Sequence, residues 1–204
     1  MEDSIYGAYR DTLVKVKTDI ENRLLQYQQK VQSETGDKSY EHMAVRIKSE
    51  ESMREKCRRN GLPETPESAL HELTDSIGFR IICPFVDDVF DIVEYIRGFE
   101  DCEIVTEKDY IRHAKPNGYR SYHVILAVKT DYPDVMGNEH GIYYVEFQIR
   151  TIAMDTWAAL EHKMKYKRNI PNQELLVAEL KRVADELASC DLSMQTIREL
   201  IEQA

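Results

Sequence analysis

Residues 75–85 read DSIGFRIICPF, and from Gly78 onward this stretch has the composition and length of a buried strand. Three further β-rich runs follow it at 102–107 (CEIVTE), 123–130 (HVILAVKT) and 142–150 (IYYVEFQIR). The run VDDVFDIVEYIRG at 86–98 has the periodicity of an amphipathic helix and lies between the first two strands. The pattern predicts an α/β fold in which helices flank a small mixed sheet.

Helical periodicity extends from this centre toward both ends of the chain. Steps of three and four between apolar residues predict a long helix over the first thirty residues. Shorter helices are predicted over 40–47, over 50–60 after the N-cap Ser49, and over 65–73, where Thr65 and Pro66 mark the start. Helical periodicity returns after Thr151. We therefore predict a single domain over 1–204, with an N-terminal helix (1–38), a central core (40–168) and a C-terminal helix (172–204).

The C-terminal helix carries an unbroken apolar seam. Its members alternate steps of four and three, and they are Leu176, Leu180, Val183, Leu187, Cys190, Met194, Ile197 and Ile201. Two partners for this seam stay open. It packs either against the N-terminal helix of the same chain or against a second copy.

Composition limits the possible functions. The 204 residues include 27 Lys and Arg against 37 Asp and Glu, and the formal net charge of −10 argues against binding polyanions by bulk attraction. The four cysteines, Cys57, Cys83, Cys102 and Cys190, form no CxxC pair or metal-finger spacing, which indicates a reducing compartment. No apolar run approaches the roughly 18 to 20 residues of a membrane span, and residues 1–11 are polar and acidic. We expect a cytoplasmic protein.

Positive charge is concentrated in two segments of this acidic chain. Residues 46–59 hold six basic and three acidic side chains, and residues 108–120 hold four basic and one acidic. In the first segment, Lys48 and Ser52 are expected beside the free amides at a helix N-terminus, where a phosphate is favoured, and Lys56 shares the face of Ser52. An ordinary solvated helix with ion pairs is the alternative.

The second segment contains KPNGYRSYH (115–123), in which cations alternate with two tyrosines. Asn-Gly is a turn signal, so part of this run can simply connect strands. A plain turn does not account for the aromatic rings and cations together. That combination suits a nucleotide, whose base stacks on a ring while its phosphates meet the cations.

Strand alternation places two further groups of polar residues. It puts Arg80 on the face opposite Phe79 and Ile81, with Asp75 at the entrance of the strand, where a carboxylate either reaches a ligand or forms a turn. In the run 143–151 it puts the following residues on one face: Tyr144, Glu146, Gln148 and Arg150. That face is either a solvent-exposed surface or the floor of a cleft.

The four segments, in this order, resemble the RelA/SpoT-type alarmone synthetase domain. The matching elements are RIK with a serine four residues on (46–52), DSIGFR (75–80), KPNGYRSYH (115–123) and EFQIRT followed by AMDTWAALEH (146–162). The resemblance covers nearly the whole chain, and it is closest to the stand-alone small synthetases. It implies a nucleotidyltransferase-like core that transfers the β,γ-pyrophosphate of ATP to the 3′-hydroxyl of GDP or GTP, with Mg²⁺ required.

The resemblance also implies roles at matching positions. On the ATP side, Arg46 and Arg80 would sandwich the adenine, and the phosphates would be held by Lys48, Ser52, Lys56 and Arg59. Asp75 and Glu146 would hold Mg²⁺, Glu146 would also act as general base, and Gln148 would help to position the metal or the acceptor. On the GDP or GTP side, Tyr119 would stack on guanine, and its neighbours would be Lys115, Arg120, His123 and Asp155. Asp155 stands where the family often has an asparagine.

Other interpretations stay open. One is a related pyrophosphokinase acting on adenine nucleotides or on RNA 3′ ends. The other is a catalytically silent regulatory or RNA-binding module. The resemblance further implies a homotetramer formed through the terminal helices and regulation by single-stranded RNA.

Overall fold

A mixed five-stranded sheet forms the centre of the computed structural model, which describes residues 4–165 and 172–203. The strands are β1 (His42–Ile47), β2 (Ile77–Cys83), β3 (Cys102–Asp109), β4 (Tyr122–Lys129) and β5 (Ile142–Thr151). Their spatial order is β1-β2-β5-β4-β3. Strands β2 and β5 are parallel, whereas the other neighbouring pairs are antiparallel. The predicted fold class is confirmed.

The described residues form five α-helices in addition to this sheet. They are α1 (Arg10–Thr35), α2 (Glu50–Arg59), α3 (Val86–Arg97), α4 (Ile152–Lys165) and α5 (Gln173–Glu202). A 3₁₀ turn over Gly7–Tyr9 precedes α1, and a five-residue π-helical segment covers Ser68–Glu72, within the helix predicted over 65–73. The predicted core ended at residue 168, and the C-terminal helix was placed after Pro171. Residue 168 lies outside the described residues, whereas α5 begins at Gln173 with Asn172 as its N-cap.

The helix predicted over residues 40–47 is wrong, because residues 42–47 form strand β1. Their side chains alternate between exposed and half-buried positions, and they pair with β2 in a register that places Val45 opposite Phe79. A run of six residues is too short for periodicity alone to separate a helix from a strand. Backbone hydrogen bonds with β2 make this run a strand.

One face of the sheet is packed and the other is open. Helices α1 and α3 cover the packed face, and α1 contributes the fully or nearly buried Leu13, Val16, Ile20 and Leu24. On the sheet side, Phe79 of β2 and Phe147 of β5 stack with ring centroids 5.0 Å apart. Burial of such apolar surface is the main stabilising term of the fold, and it fixes which side chains are left on the opposite face.

Helix α5 packs mainly against α4 and α3, rather than against the N-terminal helix that was one of its two expected partners. The indole nitrogen of Trp157 in α4 donates to the carbonyl of Leu180, at 2.7 Å, and Leu180 and Ala184 are buried beside the ring. Toward its C-terminus, α5 leaves large apolar side chains exposed, including Leu192 and Ile201. No helix within residues 4–165 and 172–203 is long and apolar enough to cross a membrane.

Gly118 lies where the loop before β4 meets α5, and we predict that Gly118→Ala destabilises the protein. The residue has φ of +89°, and an added Cβ would lie 2.6 Å from the Cβ of Ala184. We expect a loss of about 2 to 4 kcal/mol, from backbone strain of about 1 to 3 kcal/mol and the overlap with α5. Urea unfolding monitored by circular dichroism measures the change.

Gly36 provides the matched control for this substitution. It also has a positive φ, of +84°, but no atom lies within 4 Å of its added Cβ. The loss in free energy of unfolding for Gly36→Ala should therefore come from backbone strain alone. Equal losses for the two variants would contradict a close contact between Gly118 and α5.

Candidate active site

The open face of the sheet carries a cleft between β1, β2 and β5. Arg46, Gly78 and Glu146 lie opposite one another in one row across the three strands. The next row contains Arg80 and Gln148. A Cβ placed on Gly78 would meet nothing within 4 Å, so the floor of the cleft is open between Arg46 and Glu146. The polar face predicted for β5 is therefore the wall of a cleft.

Arg46 and Arg80 present their guanidinium groups on the same side of the sheet. Arg46 pairs with Gly78, and Arg80 lies two residues further along β2, so the two side chains are diagonal neighbours. Both residues are exposed. Planar guanidinium groups stack on aromatic rings, so these two side chains are suited to the two faces of a purine ring.

The basic segment before and within α2 is organised around the start of that helix. Ser49 is the N-cap, and its side chain accepts a hydrogen bond from the Ser52 amide at 3.3 Å, as the sequence predicts. The Ser52 hydroxyl accepts from that of Ser49 at 2.9 Å. Lys56 is one turn further along, and Arg59 is the last residue of the helix. The segment thus places the free amides and the cations near one end of the cleft.

Asp75 joins this segment to β2. Its Oδ2 atom accepts hydrogen bonds from Lys48 and from Lys56, the latter at 2.6 Å. Burial raises the pKa of Asp75, but the hydrogen bonds and charges of the two lysines outweigh it, so the pKa lies below its ordinary value. The second carboxylate oxygen, Oδ1, is buried and has no hydrogen-bond partner. Tyr6, which is fully buried, donates to the carbonyl of Lys48 at 2.6 Å and fixes the backbone there.

A second polar cluster lies beyond Gln148, between β4, β5 and α4. The Tyr119 hydroxyl is 2.8 Å from Nε2 of His123, and Arg150 donates to that hydroxyl at 2.7 Å. Arg150 also donates to Gln148 Oε1 at 2.8 Å and to Asp155 Oδ1 at 3.2 Å. Because His123 pairs with Gln148 across β4 and β5, this cluster is continuous with the cleft.

Lys115 and Arg120, which were predicted to bind GDP or GTP, lie at the edge of this cluster. The ammonium of Lys115 lies over the Tyr119 ring, 4.9 Å from its centroid, and over the Tyr110 ring at 4.5 Å. Arg120 instead turns to α5, where it donates to Asp185 at 3.1 Å and to the carbonyl of Ala184. The structure thus brings Lys115 to the aromatic cluster and engages Arg120 with the C-terminal helix.

Comparison with known proteins identifies the family. A model of the region found in RelA / SpoT proteins matches residues 45–171, well over half of the chain. The GTP pyrophosphokinase YwaC of Bacillus subtilis is 40% identical over 167 residues, which cover 82% of this chain and 78% of that protein. The chain belongs to the RelA/SpoT family.

Solved structures agree with this assignment. The small alarmone synthetase 1 from Bacillus subtilis, bound to its product pppGpp, superposes with a TM-score of 0.75 and 31% identity over 95% of this chain and 94% of that one. The protein smu.1046c from Streptococcus mutans gives a TM-score of 0.78 and 30% identity over 96% of both chains. The RelA/SpoT resemblance inferred from the four motifs is confirmed.

Magnesium, which the RelA/SpoT family implies, fits the carboxylates of this site. Asp75 offers a buried oxygen without a partner, and Glu146 lies on the adjacent strand, opposite Gly78. Within residues 4–165 and 172–203, no three His, Cys, Asp or Glu side chains are grouped closely enough to hold a metal by themselves. Mg²⁺ is usually bound by one or two carboxylates together with substrate phosphates and water.

His123 should be neutral at pH 7, and its titration predicts a pH-dependent stability. Burial and the charges of Arg150, Lys115 and Lys108 lower its pKa from 6.5 to about 4. The unfolded chain therefore binds an extra proton between these values, and stability should fall as the pH is lowered from about 6.5 to about 4. Urea unfolding at several pH values should show a smaller loss for His123→Gln.

The exposed His42 provides the control for this prediction, because the same substitution there leaves the Tyr119 cluster intact. A titration of His123 followed by NMR with a midpoint near 6.5 would contradict the assignment of a neutral imidazole.

Three residues of this RelA/SpoT site were not assigned a role from the sequence. Arg150 was placed on the polar face of β5 by alternation, but two of its four hydrogen-bond partners, Ser121 and Tyr119, are distant in sequence and could not be inferred from spacing. Trp157 packs edge-on to Tyr119, with ring centroids 6.3 Å apart. Tyr6 lies in the first thirty residues, for which the sequence predicted only a long helix with an apolar face. The sequence offered one signal, which is an arginine within a β-rich run, because a guanidinium that becomes buried there needs hydrogen-bond partners.

Proposed function

We propose that this protein transfers the β,γ-pyrophosphate of ATP to the 3′-hydroxyl of GDP or GTP, making ppGpp or pppGpp and releasing AMP. The observation that carries the proposal is the register of β1, β2, β5 and β4. It sets Arg46 and Arg80 on one side of Glu146 and Gln148, and the Tyr119 cluster on the other. Two nucleotide half-sites therefore meet at β5. The membership of the RelA/SpoT family supports the same reaction.

The ATP half-site is proposed to lie over β1 and β2. Arg46 and Arg80 stack on the adenine, while the phosphates bind at the start of α2 and are contacted by Lys48, Ser52, Lys56 and Arg59. Lys48 and Lys56 form ion pairs with Asp75 in the structure. Binding of the triphosphate gives these lysines a more highly charged partner and releases Asp75 to act as a metal ligand.

The acceptor half-site is proposed to lie over Tyr119. The guanine base stacks on this ring and displaces the Lys115 ammonium, which then meets the acceptor phosphates. His123 lines the same pocket. The Oδ1 atom of Asp155 accepts a hydrogen bond from Arg150. Its Oδ2 atom is therefore available to accept hydrogen bonds from the N1–H and N2 donors of guanine. Adenine lacks this pair of donors, so it would leave the carboxylate unsatisfied.

The proposed chemistry takes place at Glu146. Its carboxylate accepts the proton of the 3′-hydroxyl as that oxygen attacks the β-phosphorus of ATP, and the bond between the α- and β-phosphates breaks to release AMP. Lys48 and Lys56 neutralise charge on the transferring group, and the two half-sites hold the reacting groups in line. When bound by Asp75 and Glu146, Mg²⁺ would supply further charge neutralisation.

Chromatography of the products tests the proposal. The protein is incubated with ATP and Mg²⁺ together with GDP, GTP, ADP or an RNA with a free 3′ end. The expected result is a guanosine product extended by a pyrophosphate, together with AMP. A product only with ADP or RNA would favour the related pyrophosphokinase, and no AMP with any acceptor would favour the silent regulatory or RNA-binding module.

Assembly and compartment are part of the proposal. The exposed apolar side chains of α5 (Leu192, Met194, Ile197, Leu200 and Ile201) are consistent with a homotetramer formed through the terminal helices. Light scattering on the purified protein measures its mass in solution. A monomer at micromolar concentration would contradict the tetramer without affecting the proposed reaction. Nucleotide substrates and the cysteine pattern support a cytoplasmic location.

A further inference from the structure

Arg150 is an unusually buried cation for a residue in a polar cleft wall. Only 5% of its surface is exposed, and it lies near the end of β5, directly before Thr151. A guanidinium removed from water is costly unless its donors are satisfied. Four of its five N–H groups have partners: Nε donates to Ser121, one terminal nitrogen donates to Asp155, and the other donates to both Tyr119 and Gln148.

These contacts determine the orientation of the groups around Arg150. A guanidinium cannot accept a hydrogen bond, so the Gln148 amide must turn its oxygen toward Arg150. Its Nε2 group, with two donors, is then left on the side of the cleft that Gln148 lines. For the same reason the Tyr119 hydroxyl accepts from Arg150 and can donate its own proton to Nε2 of the neutral His123.

Gln148 lies at the junction of the two half-sites. In the sheet it is opposite Arg80 on one side and opposite His123 on the other. A donor at this point is suited to an oxygen atom of a nucleotide. An amide whose oxygen is already engaged is poorly suited to a metal ion, which needs that oxygen.

We propose that Arg150 is the positioning residue of the acceptor half-site. By holding Tyr119, Gln148 and Asp155 at once, it directs the Gln148 amide donors at an oxygen of the acceptor nucleotide. Gln148 is therefore a ligand of that nucleotide and not of the metal. The proposal rests on the function proposed above.

Arg150→Lys tests the positioning role, because it keeps the positive charge beside Asp155 but cannot satisfy three partners in one plane. We expect the KM for GDP to rise about tenfold or more, and the KM for ATP to stay within about twofold. Arg23→Lys is the control, since Arg23 is a partly buried arginine on α1 that binds Asp101 through two hydrogen bonds. Equal increases in both KM values, or a change in melting temperature alone, would overturn the proposal.

Gln148→Met keeps the test decisive if Arg150→Lys does not fold. Methionine has a similar length and no charge, and it removes both amide donors. Calorimetry in EDTA measures the binding of GDP and of a non-hydrolysable ATP analogue without metal. We expect GDP affinity to fall about tenfold while the affinity of the analogue is unchanged. Unchanged GDP affinity in EDTA, with a loss only when Mg²⁺ is added, would show that Gln148 is a metal ligand.

The two proposals can fail separately in these experiments. If wild-type protein forms no product with ATP and GDP, the proposed reaction is wrong, and GDP binding in EDTA still reports on Gln148. If wild-type protein is active and neither variant changes GDP binding or its KM, the role of Arg150 is wrong and the reaction stands.

Discussion

Glu146→Gln is expected to lower turnover by about a hundredfold to ten-thousandfold, while both nucleotides still bind. Glu146 lies between the two half-sites, opposite Gly78, where no side chain separates it from the floor of the cleft. Glutamine has the same shape but cannot accept the proton of the 3′-hydroxyl. The size of the loss is that of a general base removed from a positioned site. The rate of AMP formation at saturating ATP and GDP measures it.

The control for this variant is Glu21→Gln, on α1 at the packed side of the sheet. This substitution also removes one carboxylate charge, but at a position away from the cleft, so turnover should be unchanged. Calorimetry with GDP and with a non-hydrolysable ATP analogue separates chemistry from binding. Turnover within a few fold of wild type would remove Glu146 from the chemical step.

Tyr119→Ala is expected to raise the GDP requirement by about tenfold to a hundredfold and to leave ATP binding nearly unchanged. Stacking of a base on an aromatic ring is worth about 1 to 3 kcal/mol, and alanine removes the whole ring. The ring is half-buried, with edges against Tyr110, His123 and Trp157, so it is held in place before the base arrives. Initial rates at varied GDP and fixed ATP, and the reverse, give the two KM values.

Tyr119→Phe separates the ring from its hydroxyl. It keeps the stacking surface but removes the contacts with Arg150 and His123. If stacking dominates, the phenylalanine variant should lie much closer to wild type than the alanine variant does. Equal losses of ATP and GDP affinity in Tyr119→Ala would contradict a guanine-stacking role.

Strand alternation correctly predicted which side chains of β2 and β5 share a face, whereas the edge strand β1 was not predicted. It placed Arg80 on the face of β2 opposite Phe79 and Ile81, and it placed Glu146 and Gln148 together on the polar face of β5, because residues two apart on a strand share a side. The N-cap Ser49 was also predictable, since capping is a local interaction. Residues 42–47 were assigned to the wrong element because their strand character depends on pairing with β2, which the local pattern does not contain.

The contacts that sequence could not supply are those between distant segments. Arg150 donates to residues that lie from 2 to 31 positions away in the sequence, and the direction of its side chain depends on packing between β4, β5 and α4. Arg120 follows Tyr119 directly and was expected at the acceptor phosphates, but α5 supplies an acidic partner for it. Helix α5 itself was predicted, whereas its packing against α4 depends on the indole of Trp157.

In the proposed reaction, the β,γ-pyrophosphate of ATP is transferred intact to the acceptor nucleotide. The most direct measurement uses ATP labelled at its γ-phosphate, with unlabelled GDP, Mg²⁺ and wild-type protein. We predict that the label appears in a guanosine product and that one AMP forms for each molecule of that product. Label released as inorganic phosphate with ADP, or a guanosine product that carries no label, would contradict the claim.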